Sequence, residues 1–150
     1  MSEHRAILHW KRETPDFTYE TYDRTHTITF EGGSQILASS AVEYRGKAEY
    51  MNPEQAFAAS LSSCHFLTFV AVAAKYRYVL DEYEDEATAV LGENAQGKMA
   101  VTQVTLRPKV SFSGEKIPDS KKIQELHEKS HGLCFISNSV SCSVIVEPRN

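Results

Sequence analysis

Three cysteines, Cys64, Cys134 and Cys142, and two histidines, His127 and His131, are the side chains whose spacing could support chemistry. A thiolate is both a nucleophile and a metal ligand, and its surroundings decide which role it takes. Cys64 has Ser62, Ser63 and His65 beside it, and Cys134 stands after a predicted helix and before Ser137-Asn138. Both settings are small and polar. Cys142 alternates with Ser141 and Ser143 in a strand-like stretch and reads as sheet packing. His127-x-x-x-His131 puts two imidazoles one turn apart on one helix face, with Cys134 three residues further on. That spacing suits zinc with Cys64 as a fourth ligand, although there is no paired CxxC. An odd cysteine count in 150 residues does not build a disulfide framework. The residues alone leave packing, a redox pair and a metal site all open.

The elements that must position these thiols can be read from the pattern. Residues 56–74 carry no charge apart from His65, with Cys64 near the middle. A run of about 18 apolar residues is also a candidate membrane span. Ser60, Ser62, Ser63, His65 and Thr68 dilute this one, and many of its apolar residues are small alanines. The expectation is a helix buried on all sides, too apolar for one subunit to cover. Association with a second copy is the remedy. Asn52-Pro53-Glu54-Gln55 opens the helix: Asn caps, Pro fits the first helical position, Gln55 completes a capping box, and Glu54 complements the dipole.

Around that helix the chain alternates. Residues 5–10 and 16–22 read as strands, and 26–30 with 35–38 as a hairpin turned by Gly32-Gly33-Ser34. Residues 39–51 read as a loop. Residues 77–92 read as strand, with the acids between Asp81 and Glu86 on its solvated side, and 98–112 as a long return broken near Pro108. Pro118-Asp119-Ser120 opens a second helix whose face carries Ile123, Leu126, His127 and Leu133, with Gly132 near its end. Val140–Val146 reads as a last strand. The order predicts a single α+β domain over residues 1–150. With 41% hydrophobic and 24% charged side chains, the chain suits a soluble globular class. A net charge of -4 with scattered Lys and Arg gives no basic cluster, which speaks against nucleic acid as partner. The first residues lead directly into an alternating segment with no apolar region before it, so no secretory signal, no membrane association and a cytoplasmic address are expected.

Asn52-Pro53-Glu54-Gln55 followed by AFAASLSSCH, with a second cysteine 70 residues later in Gly132-Leu133-Cys134-Phe135-Ile136-Ser137-Asn138-Ser139, resembles the OsmC/Ohr family. These are the osmotically inducible protein C and organic hydroperoxide resistance proteins. The resemblance covers essentially the whole chain. It implies antiparallel sheets packed around a long buried central helix in an intertwined homodimer. It also implies a peroxiredoxin-like thiol peroxidase that reduces organic hydroperoxides and needs no cofactor or metal. Cys64 would be oxidised to a sulfenic acid, Cys134 would resolve it as a disulfide, and a dithiol reductant would reopen the bond. An Arg held by the Glu of the Asn-Pro-Glu motif lowers the thiol pKa in the family. Glu54 matches that Glu, and either Arg24 or Arg45 stands for the Arg, with Arg24 favoured.

Glu54 and Cys64 are ten residues apart, hence about 15 Å along one helix, too far to share a site within one chain. Two antiparallel copies would bring Glu54 of one towards Cys64 of the other. Phe57, Leu61 and Phe66 are candidates for contacting the substrate tail, with Arg45 as a further binding residue. Two positions depart from the peroxidase branches: Phe135 stands where Pro typically follows the second cysteine, and His65 follows the first. The competing class is a non-catalytic redox-sensing or small-molecule-binding protein.

Overall fold

The computed structural model describes residues 1–149, which divide into two compact units, Met1–Ala56 and Phe57–Asn150. The first unit holds one antiparallel sheet, β1 (Ala6–His9), β2 (His26–Phe30) and β3 (Gln35–Ala38), in the order β1-β2-β3. The hairpin expected at 26–38 is present, and Gly33 takes φ 85° in its turn, a conformation that favours glycine. Residues 16–22 are not a strand. There the backbone turns, Tyr22 and Thr21 donating to the carbonyl of Thr18 at 3.1 Å, while Arg12 Nη1 donates to the carbonyl of Pro15 at 3.0 Å. Such local bonds offer the chain an alternative to a ladder, which aromatic content alone did not reveal. Residues 39–51 form the expected loop, tied down where Ser39 donates to Met51 O at 2.8 Å. Gly46 passes so close to the Ser40 carbonyl that a Cβ would stand 1.6 Å from its oxygen, so only glycine fits.

Helix α1 spans Pro53–Lys75 and starts as the sequence predicts. Asn52 Oδ1 accepts from the Gln55 amide at 2.8 Å, and Gln55 Oε1 accepts from the Asn52 amide at 3.0 Å, a reciprocal capping box. The helix is not buried on all sides within one chain. Its buried residues, Ala58, Leu61, His65, Phe69, Val72 and Ala73, recur every three or four positions and form one stripe, while Leu67 is 63% exposed. By length and composition the helix could cross a membrane, yet its stripe lies in two core clusters of the second unit.

That unit adds β4 (Val79–Asp85), β5 (Thr88–Glu93), β6 (Met99–Leu106), β7 (Pro108–Ser113), α2 (Ser120–Leu133) and β8 (Ser143–Val146). β4 pairs with β7, and a second sheet runs β5-β6-β8. The pairings are antiparallel except β6 with β8, which is parallel because β7 and α2 supply the crossover. One core cluster gathers Ala58, Leu61, Val104 and Leu106; the other gathers Phe69, Val72, Ala73 and Leu126. Asp85 breaks the expected solvated row of acids. It turns inward and accepts from Ser62 Oγ at 2.5 Å and from the Arg107 amide at 2.6 Å. The last strand is shorter than expected, so Cys142 precedes it, half-buried and packed against the first cluster. Leu133, expected on the buried face of α2, is 50% exposed; Ser130 takes the buried position instead.

Candidate active site

Cys64 and Cys134, 70 positions apart, meet in the second unit as free thiols. Cys64 is carried by the middle of α1. Cys134 is fully buried at the C-terminal cap of α2, where its amide donates to His131 O at 3.3 Å. The chain then folds over it: the Ser137 amide donates to Cys134 Sγ at 3.4 Å and the Asn138 amide to Cys134 O at 3.1 Å. This small turn brings the backbone of Ile136 and Phe135 beside Cys64. Burial pushes the Cys64 thiol above its ordinary pKa, and the neighbouring Cys134 thiol pushes the same way, while the backbone N–H groups of Ile136 and Phe135 oppose them. The net direction is upward. Phe135 itself is 81% exposed, a bare aromatic ring beside the thiol pair.

The arginine candidates lie in the first unit. Arg24 donates to Tyr22 O at 3.0 Å and Tyr19 O at 2.7 Å, and its guanidinium stands 3.9 Å above the Tyr22 ring and 5.1 Å from that of Tyr19. Arg45 is exposed, with φ 64°, and faces the same Tyr19 ring at 5.7 Å. Arg24 also lines a cavity of about 480 Å³ with Leu8, Trp10, Phe17, Tyr22 and His26. Glu54, in the first turn of α1, has a buried Oε2 with no hydrogen-bond partner. Among the described residues no ion pair joins Glu54 to Arg24 or Arg45. Of the apolar candidates, Leu61 is fully buried in the first cluster, Phe57 packs against that cluster, and the Phe66 ring lies 5.0 Å from that of Tyr83.

One feature near the thiols escaped the sequence reading. His65 Nε2 and His127 Nδ1 are 3.0 Å apart, in fully buried rings whose planes differ by 10°. Phe69 stacks on His127 with ring centres 4.3 Å apart. His65 Nδ1, His127 Nε2, His131 Nδ1 and the Tyr83 hydroxyl are buried without partners. Burial, first, drives His65 down to about 4 and His127 down to about 3. Pairing His127 with His131 as ligands overlooked that each cysteine-bearing helix places one histidine on its apolar stripe. Among the described residues, no group of three or more His, Cys, Asp or Glu is arranged to hold a metal ion.

This architecture, a long helix carrying one thiol against a second thiol at a helix end, has relatives. Residues 46–149 match the family model for OsmC-like proteins, and the chain belongs to that family. It is similar to an OsmC-like protein of unknown function from Vibrio cholerae, with 45% identity, 99% of this chain and 100% of that one covered, and a TM-score of 0.95. An organic hydroperoxide resistance protein from Elizabethkingia anophelis shares the fold at 19% identity, TM-score 0.76, over 100% of this chain and 97% of that one. The organic hydroperoxide resistance protein OhrB of Bacillus subtilis does so at 22% identity and TM-score 0.71, over 99% and 98%. No curated protein matches the sequence.

Proposed function

We propose that the protein is a thiol-dependent peroxidase that reduces organic hydroperoxides. The observation that carries this reading is the meeting of Cys64 with Cys134, two free thiols brought together across 70 residues of chain. Cys64 thiolate attacks the distal peroxide oxygen; the S–O bond forms as the O–O bond breaks, and the alkoxide leaves as an alcohol after taking a proton. The sulfenic acid condenses with the Cys134 thiol, releasing water and leaving a disulfide. A dithiol then reduces that disulfide and is itself oxidised.

Attack needs thiolate, and the surroundings of Cys64 within its own unit hold it protonated. A second copy supplies the remedy: an arginine, Arg24 in preference to Arg45, steadied by the unpartnered Glu54 oxygen. Exposed Ile7, Leu8, Phe17 and Tyr19 give such a copy apolar surface to cover. Phe57 and Phe66 line the route of an alkyl or aryl tail, with Leu61 supporting them from the core. Purified protein should consume cumene hydroperoxide in the presence of dithiothreitol and run as a dimer by light scattering. Unchanged turnover in Cys64→Ser sinks the mechanism, and a monomer sinks the shared site. The second reading is a non-catalytic redox sensor. The protonated state favoured at Cys64 supports it, and it predicts slow oxidation of the pair with no turnover.

A further inference from the structure

We propose that His65 and His127 are positioning residues whose hydrogen bond latches α1 to α2 and so sets the approach of Cys64 to Cys134. This rests on the reading of those thiols as a disulfide-forming pair. His65 follows Cys64 on α1, and His127 lies on α2, the helix that Cys134 ends. Among the described residues, and apart from the contact of the two thiols themselves, the His65–His127 bond, at 3.0 Å, is the one side-chain hydrogen bond between the two helices. Apolar contacts such as Phe69 against Leu126 hold helices together but tolerate sliding, because dispersion and burial are non-directional. A hydrogen bond is directional and fades within a few tenths of an ångström. Here its loss would strand two more buried nitrogens, and a buried polar group left unsatisfied is costly.

The rings cannot trade this bond for water, since both residues are about 1% exposed or less. His65 Nδ1 and His127 Nε2 already lack partners, so the bonded register is the one in which each imidazole keeps a contact. Phe69 stacks on the His127 ring and Tyr83 packs beside both, which holds that ring in place. The latch thereby fixes the axial position of α1 against α2 close to the thiols. A disulfide forms from a narrow range of sulfur geometries, so helices held in register raise the effective concentration of one thiol for the other.

The test measures the Cys64–Cys134 disulfide at equilibrium in glutathione buffers, by alkylation and peptide mapping, with no peroxide present. His65→Phe/His127→Phe keeps two aromatic rings and leaves no stranded imidazole, so the fold should persist by circular dichroism. Its disulfide equilibrium constant should fall about tenfold, which is about 30 mV for two electrons. His65→Gln, whose amide nitrogen or oxygen stands where Nε2 stands, should keep the wild-type constant. If the double variant does not fold, His127→Asn against His127→Phe makes the same comparison, because the Asn amide replaces Nδ1. A double variant at the wild-type constant, or a Gln variant that falls as far as the double, overturns the latch alone. A wild-type chain that forms no Cys64–Cys134 disulfide overturns the parent reading and the latch with it.

Discussion

The thiol region and the arginine region are opposites in how complete they are. Around Cys64 and Cys134 every structural part is in place: two helices, a turn that covers the buried sulfur, and a buried histidine bond. Burial, and then the neighbouring Cys134, hold the Cys64 thiol up. Around Arg24, in the first unit, the charge is present, stacked on tyrosines beside an apolar cavity, and one Glu54 oxygen is buried without a partner. Packing and electrostatics have been built in different parts of the chain. The proposed peroxidase requires the thiol of the one and the charge of the other.

The largest effect expected is at Cys64. Cys64→Ser should abolish peroxide consumption, because a serine hydroxyl is neither ionised at neutral pH nor a soft nucleophile. Residual turnover at the wild-type rate would mean that the thiol region is only packing. Cys134→Ser should be nearly as severe over many turnovers but should spare the first. Rapid mixing with one equivalent of hydroperoxide should still consume it and leave a sulfenic acid that dimedone traps. If dimedone labels nothing, the two thiols do not divide the roles of attacking and resolving.

The arginine region is tested next. Arg24→Gln should lower the rate of Cys64 oxidation by about 10²–10³-fold, the usual scale for removing one preorganised charge from a reacting centre. Arg45→Gln, whose side chain is exposed and only borders Tyr19, should do much less. The pH profile of alkylation by iodoacetamide reads the cause directly, since Arg24→Gln should shift thiolate formation to higher pH. Reversal of the two arginines would keep the comparison and exchange its residues.

What the sequence made legible follows from the range of each interaction. Caps, hairpin turns and the apolar stripe are local, so Asn52, Gln55 and Gly33 announced themselves. The motif around Cys64 and its distance to Cys134 carried the family, and with it the meeting of the two thiols. The His65–His127 bond joins residues 62 apart and leaves no periodic trace. Its one hint was a histidine on the apolar stripe of each of two helices, which reads equally well as metal ligation. Asp85 was misread for a similar reason: an acid in an acidic run looks solvated until Ser62 and the Arg107 amide are seen to face it. The strand expected at 16–22 failed because turn-forming bonds from Thr18 and Arg12 outweighed the preference of its aromatic residues.

The smallest effect separates the two regions by their response to acid. His65 and His127 have folded-state values of about 4 and about 3 against an ordinary 6.5, lowered chiefly by burial. Between those values and 6.5 the unfolded chain binds more protons than the folded one, so acid pulls the equilibrium towards unfolding. Stability from these groups is therefore present above pH 6.5 and drains as the pH falls below it, until the folded imidazoles themselves titrate. At pH 5.5 the two together should cost about 2.5 kcal/mol relative to neutral pH. The Asp23 carboxylate in the arginine region behaves differently. Its hydrogen bonds with Thr25, followed by that with Lys47, lower it to about 2, so the stability it adds persists until far lower pH. Urea unfolding at pH 7.5 and 5.5 should accordingly show loss of the second unit's tertiary signals first, and His65→Phe/His127→Phe should flatten that dependence. Equal pH sensitivity in the double variant and the wild type would place the acid-labile groups elsewhere and remove the histidine pair from the account of the thiol region.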